Sequence, residues 1–323
     1  MVKTWQQLSV LIAGCGSIGK RHARVLESLG VPAIRACDPS PSQRAALLSD
    51  VPSAAMYESF ESGLRDHPDT VLICTPTAQH VPMAAEAICA GCHVLCEKPL
   101  SDTTQGIDDL IKLANDQKKR VMVAYCFRYH EGLLRAKRYL DSNRVGRLVS
   151  IRALVGEHFP DVRPDYRDLY YAKQGGALEL VHEVDLAVWY AGRPVRKVLA
   201  LKRNYSDIGI EAPDVVEILM DFEGRSMASV HLDFFQRPRR RQMELICTEG
   251  VIIVEFARWD QCTVSVYESS KGVWEEETLV TSRDDMFRGE DKEFLQAVAE
   301  GGPIHCSVEE ARKSLEVILA AQS

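Results

Sequence analysis

Two groups in this chain of 323 residues have the chemistry and the neighbours to move a proton. One is Lys98, in the tripeptide Glu97-Lys98-Pro99 that closes the apolar run 93–96. The other is His182, which follows Gly175-Gly176 and stands among Glu179, Glu183 and Asp185. Residues three or four apart share a helix face, so one helix would set Glu179 beside His182 or Glu183, and His182 beside Asp185. Histidine suits general acid/base work because its ordinary pKa, about 6.5, lies near operating pH. A lysine desolvated beside a cation can also lose its proton near neutrality. Each has a plainer alternative: Lys98 as a surface lysine in a turn, His182 as a structural histidine with its hydrogen bonds satisfied.

A second pattern concerns anions. Residues 8–13 read as a buried strand, and Gly14-Cys15-Gly16-Ser17-Ile18-Gly19 turns the chain into an amphipathic helix. Gly14 permits the tight turn, Gly16 lets the backbone approach a pyrophosphate, and Gly19 allows close helix packing. The helix start at Ser17 and Ile18 offers free N–H groups to the anion. Asp38 ends the second strand, where a carboxylate accepts hydrogen bonds from both ribose hydroxyls and argues for NAD. NADP stays open, since Arg35 or Arg44 would offset the repulsion between that carboxylate and a 2′-phosphate. Thr75-Pro76-Thr77 ends the fourth strand and is expected to line the cofactor. His80, just beyond, reads as the cap of the next helix within the same wall rather than as a catalytic group. Glu97 and Lys98 have the same crevice address.

These groups need a frame that brings strand ends to one edge. Over residues 1–124 strand-like and helix-like segments alternate, which predicts a doubly wound parallel sheet, an α/β dinucleotide-binding domain with right-handed crossovers. The strands are expected at 8–13, 33–37, 54–57, 70–74, 93–96 and 121–124, with a short helix at 60–64 and longer ones at 81–90 and 104–117. Residues 125–323 read differently. A helix at 133–140, an extended run at 148–156 and a helix from Gly175-Gly176 through Tyr190 lead into strands near 195–203, 215–222, 226–234, 242–247, 251–256, 263–267 and 273–279. Helices near 287–300 and 308–320 finish the chain. The expectation is a second, α+β domain on a large open, mostly antiparallel sheet, binding substrate and carrying the subunit contact.

Composition excludes several classes. A net charge of −7 disfavours nucleic acid, which needs a basic surface. The local exception, Arg237 with Arg239, Arg240 and Arg241, reads as a solvated hairpin or as an anion site. Only about six apolar residues precede the glycine turn, too few for a signal core or a membrane span, so the protein is expected in the cytoplasm and off the membrane. The ten cysteines are scattered through apparent strands and helices and are expected as free thiols. Cys89, Cys92 and Cys96 lack a second ligand pair nearby, so no metal is expected.

Taken together, these segments resemble the glucose-fructose oxidoreductase and inositol dehydrogenase family over nearly the whole chain. The carriers are residues 14–22, Thr75-Pro76-Thr77 with His80, residues 91–100, residues 175–185, and His231-Leu232-Asp233 followed by Arg241 and Glu249-Gly250. The resemblance implies that Lys98 and His182 flank the nicotinamide and that a carboxylate on the histidine's helix completes the site. The commoner family pattern has aspartate four residues before the histidine; here that position is Leu178, and Glu179 takes the three-before position of another branch. Cys126 stands where many relatives have asparagine. Residues 156–161, Arg163-Pro164, Tyr166-Arg167 and Tyr171-Ala172-Lys173 look like a branch associated with sugars or sugar nucleotides. That likeness sets Arg163, Tyr166, Arg167 and Lys173 at the substrate, where Arg128 and Asp185 are also expected, with packing at a subunit contact as the alternative for the loop.

The implied activity is hydride transfer between nicotinamide and a secondary alcohol or ketone of a sugar, polyol or sugar nucleotide. Lys98, His182 and Glu179 would be catalytic, with Lys98 and His182 able to exchange roles. Reduction of a non-sugar carbonyl or imine is the second reading, and a cofactor-sensing regulator without catalysis the third. The broad apolar face of an open sheet implies a homodimer or homotetramer.

Overall fold

A computed structural model describes residues 4–162 and 176–323. They separate into two compact units, Met1–Cys126 with Asp284–Leu315, and Phe127–Arg283 with Glu316–Ser323.

In the first unit β1 (Ser9–Ala13), α1 (Ser17–Ser28), β2 (Ala33–Cys37), α2 (Pro41–Asp50), β3 (Ala55–Tyr57), α3 (Phe60–Leu64), β4 (Thr70–Ile73), α4 (His80–Cys89), β5 (His93–Glu97), α5 (Ile107–Asp116) and β6 (Val121–Ala124) succeed one another. The strand order is β3-β2-β1-β4-β5-β6 and every pairing is parallel. Residues buried along the full length of β4 and β6 explain why these strands read as continuous runs rather than alternating ones. The order reverses between β1 and β4, and a crevice opens at the carboxyl ends of strands at such a point. Helix α2 was not foreseen, although its start is marked: Ser40 accepts from the Gln43 N–H and Pro41 opens the first turn.

The edge strand β6 is covered within the same unit. Met122 bridges Ser307, and the Val123 N–H donates to the Cys306 carbonyl at 2.9 Å. A division at residue 124 assigns residues 284–315 to the second domain; in the structure they cluster with the first. Nothing in a helical repeat says which sheet the helix will pack on.

The second unit holds α6 (Glu131–Asp141), the helix His182–Ala191, and β7 (Leu148–Gly156), β8 (Val195–Arg203), β9 (Val215–Phe222), β10 (Ser226–Asp233), β11 (Arg240–Cys247), β12 (Gly250–Glu255), β13 (Gln261–Glu268) and β14 (Val273–Val280). The order is β14-β13-β12-β11-β7-β10-β9-β8. All neighbours are antiparallel except β7 and β10, which run parallel. Burial alternates along β9, β11 and β13, so one face carries core residues such as Val216, Ile218 and Met220. The other face exposes Leu199, Leu201, Leu219 and Met227.

One helix expectation is corrected. Residues 176–190 do not form a single helix: a 3-10 turn covers Gly176–Glu179, Leu180 and Val181 intervene, and the α-helix begins at His182. Within the turn the Leu180 N–H donates to the Ala177 carbonyl at 3.0 Å, and the Ala177 N–H donates out to the Pro213 carbonyl at 2.8 Å. Glu179 and His182 therefore do not share one helical face.

Candidate functional site

The glycine turn leaves β1 at the reversal point of the first sheet. Gly14 has φ +99°, and a Cβ there would lie 2.6 Å from the Cys74 carbonyl oxygen, so β1 and β4 approach only because this residue has no side chain. A Cβ on Gly19 would lie 1.9 Å from the Gly14 oxygen. Gly16 has open space instead, with nothing within 4 Å of a Cβ, and it caps α1 without a side-chain bond. Backbone packed at Gly14 and Gly19 and open at Gly16 is a cradle for a pyrophosphate on the helix N-terminus, where Ser17 and Ile18 stand.

Asp38 ties this turn to the end of β2. Its Oδ2 accepts from the Cys15 N–H at 2.9 Å and its Oδ1 from the Ser40 N–H at 2.8 Å. The two arginines that would welcome a 2′-phosphate are engaged elsewhere. Arg44 donates to the Asp38 and Pro39 carbonyls at 2.6 and 3.2 Å, and Arg35 pairs with Asp66 at 2.6 Å. A crevice of about 550 Å³ opens here, within the range of ligand sites. Gly14, Gly16, Asp38, Thr75 and Pro76 line it, as do Phe60, Gln79 and Met83, which the sequence did not single out. Thr77 opens the 3-10 turn beyond. Burial pushes the Cys15 and Cys37 thiols up to about 12, so the sulfur-bearing wall is uncharged. A dinucleotide fits these residues.

Lys98 follows β5 at the same edge, after the buried run 94–96. Its turn is held from two sides. The His80 ring lies 2.8 Å from the Thr75 carbonyl through Nε2 and 2.8 Å from the Pro99 carbonyl through Nδ1, so it ties the ends of β4 and β5 together. Glu97 accepts the Lys98 N–H through Oε2 at 3.0 Å and meets His22 Nε2 through Oε1 at 3.3 Å. His80 and Glu97, expected at the cofactor, thus spend these atoms on positioning. His22 itself went unassigned in the sequence.

In the second unit His182 is the first residue of its helix, with the Phe127 ring at 4.7 Å between centroids. The Arg241 guanidinium lies over the same Phe127 ring, 3.7 Å from its centroid, and pairs with fully buried Glu183 at 2.5 Å. Arg128 and Asp185, expected at the substrate, grip each other in two bonds of 2.8 and 2.7 Å and are 3% and 1% exposed. Burial, with Arg241 adding to it, pushes the nearby His130 down to about 4. The arginine run is neutralised piece by piece: Arg237 pairs with Asp161, Arg239 with Glu157, and Arg240 lies 4.0 Å from Glu255. β7 lies between β10 and β11 in the sheet, so the run joins distant strands rather than turning a hairpin, and Arg237 and Arg240 stay exposed. Arg163, Tyr166, Arg167 and Lys173 lie outside the described residues.

A crevice of this build takes a dinucleotide at the switch point of a parallel sheet, which sets the protein among the nicotinamide-dependent oxidoreductases. Comparison with known proteins names the group. Residues 8–125 match the model of an oxidoreductase family with an NAD-binding Rossmann fold, and residues 133–253 match the GFO/IDH/MocA C-terminal domain. The chain belongs to this family of NAD(P)-dependent oxidoreductases. Inositol 2-dehydrogenase of Corynebacterium glutamicum is 25% identical over 235 residues, which is 71% of this chain and 67% of that one. Levoglucosan dehydrogenase of Pseudarthrobacter phenanthrenivorans is 25% identical over 93% of this chain and 91% of its own. The crystal structure of GenD2 from gentamicin A biosynthesis, in complex with NAD, superposes with a TM-score of 0.82 at 25% identity, covering 99% of this chain and 94% of that one.

Proposed function

We propose that this protein interconverts a secondary alcohol and a ketone on a sugar, polyol or sugar nucleotide, using NAD in preference to NADP. The observation that carries the reading is the glycine cradle closed by Asp38, with the Lys98 turn at the same sheet edge. Relatives named for inositol and levoglucosan support the substrate class. When bound, the nicotinamide accepts or returns the hydride. Lys98 hydrogen-bonds the reacting oxygen and stabilises the negative charge that develops on it. His182 takes the hydroxyl proton in oxidation and returns it in reduction. Glu179, in its own 3-10 turn, orients the substrate or the histidine rather than extending the histidine's helix. Arg128 and Asp185 position the helix that presents His182, a role their mutual burial favours over substrate contact.

Exposed Leu199, Leu201, Leu219 and Met227 share the outer face of the β8-β9-β10 sheet edge and fit burial in a homodimer or homotetramer. No described helix is long and apolar enough to cross a membrane, and the free cysteines fit a reducing cytoplasm.

Turnover on a panel of polyols, sugars and sugar nucleotides, measured beside NAD(H) binding for Lys98→Met and His182→Ala, tests the mechanism. Lost turnover with retained cofactor binding is expected of both. Wild-type turnover in both would sink it, and a chain that binds NAD(H) but turns over nothing on the panel would move the reading to a sensor.

A further inference from the structure

Behind the Glu97-Lys98 turn lies a group of ionisable side chains that the cofactor crevice does not use. His22 on α1, with Glu290 and Asp291 on the helix Arg283–Glu300, are each at most 1% exposed. One nitrogen or carboxylate oxygen from each lies within 4.8 Å of the others. His22 Nδ1 is 2.8 Å from Asp291 Oδ1, and its Nε2 is 3.3 Å from Glu97 Oε1, whose other oxygen accepts the Lys98 N–H. Phe287 closes the ring edge-on at 5.3 Å. Among the described residues neither carboxyl oxygen of Glu290 has a hydrogen-bond partner.

A neutral imidazole donates one hydrogen bond, whereas this ring faces a carboxylate at each nitrogen; only the imidazolium donates to both. An ionised carboxylate without hydrogen bonds in a dry interior is the costliest state Glu290 could adopt, and taking up a proton removes that cost. We propose that His22 is a doubly protonated positioning residue, clamped by Asp291, whose second N–H holds Glu97 and through it the main chain of Lys98, while Glu290 stays a neutral carboxyl that spares the cluster a third negative charge. This rests on the catalytic reading of Lys98, and names what places it.

The titration directions agree. Burial alone would lower the His22 pKa, but Asp291 and Glu97 outweigh it and hold the ring well above its usual range. Burial, then Glu97, pushes Glu290 well above the carboxylate range. Burial also raises Asp291, with the His22 cation opposing it. The other groups bearing on the cluster are Glu293 on the same helix, Asp284 at its start with Arg21 of α1 at 3.7 Å, and the Cys74 and Cys96 thiols, which burial keeps protonated.

The test uses the full chain with 15N-labelled histidine. In the wild type the His22 signal should be that of an imidazolium at pH 8. In Asp291→Asn it should be neutral, kcat should fall by about tenfold or more through misplacement of Lys98, and the NAD(H) Kd should stay within about twofold. That variant should also acquire a basic limb, kcat declining as pH rises through the lowered His22 pKa. Glu290→Gln should keep the imidazolium signal and melt no lower than wild type at pH 8, because the amide needs no proton from solution. A neutral His22 in the wild type, a lower Tm for Glu290→Gln, or a stoichiometric metal ion that Glu290→Gln loses would each overturn the proposal. Lys98→Met separates the two readings. If it turns over normally, the catalytic reading fails while the charge state of His22 is still decided by its signal; if it is inactive and Asp291→Asn matches wild type in kcat and pH profile, the positioning role alone fails.

Discussion

Asp38 and the glycines of the cradle do different work within a few ångströms, and single substitutions separate them. Asp38→Ser removes the carboxylate that the proposed reading sets against the ribose, and a hydrogen bond to a charged group contributes about 1.5–3 kcal/mol. NAD affinity should fall at least about tenfold and NADP affinity should fall less. Paired Kd values for the two cofactors check this, and an unchanged ratio would take Asp38 out of the ribose role. Gly16→Ala meets open space, so it should fold with a wild-type Tm and bind NAD weakly. Gly19→Ala drives its methyl into the Gly14 carbonyl and should lower the Tm itself. Equal effects of the two on melting would contradict the cradle. The turn itself was legible because its glycines fall within six residues of chain and Gly19 packs on the Gly14 carbonyl, whereas the close approach of Gly14 to Cys74 is a long-range contact that no local pattern announces. His22 was not, because its partner Asp291 lies 269 residues away and looks in sequence like any acid on an amphipathic helix.

The elements were legible where burial repeats along them and illegible where an apolar run hides a break or strands distant in the chain pair. The parallel strands of the first sheet and the alternating strands of the second declare themselves, since their neighbours on the pleat are uniformly buried or alternately so. The break between Glu179 and His182 does not, because Ala177, Leu178, Leu180 and Val181 read as one apolar run straight through it. Nor does the β7–β10 pairing, whose partners are separated by two other strands in the chain. The helix His182–Ala191 is fixed from below by two buried ion pairs, and breaking one leaves an uncompensated charge. Arg241→Met should destabilise the second unit by about 3–5 kcal/mol, because Glu183 has no exposure to water. Urea unfolding measures it. Arg241→Met combined with Glu183→Gln should recover a substantial part of the loss, and strict additivity of the two would show that the pair does not hold the helix.

For the molecule as a whole, the histidines with shifted titration set a stability profile with limits on both sides of neutrality. Hydrogen bonding to Asp233 and Glu217 raises His231 to about 9 against an ordinary value of 6.5. Its contribution is complete below the unfolded pKa and is lost as pH rises through about 9, the same sign as His22. Burial lowers His93 and His130 to about 4, so both fold neutral and withdraw stability as pH falls from about 6.5 toward 4. The Tm should therefore fall between pH 7 and 9.5, and His231→Gln should flatten part of that decline. Parallel slopes for variant and wild type in a melting series would exclude His231. The first unit also has an uneven history in time. Its sheet is complete in sequence by Ala124, yet the strand edge at Met122 and Val123 and the charges around His22 wait for residues 284–315. While the chain emerges from a ribosome, the nucleotide-binding half must stand with an open edge, and with His22 facing Glu97 but lacking Asp291, until most of the other half has been made. A nascent fragment ending near residue 126 should accordingly be a client for chaperones rather than an early, cofactor-ready domain.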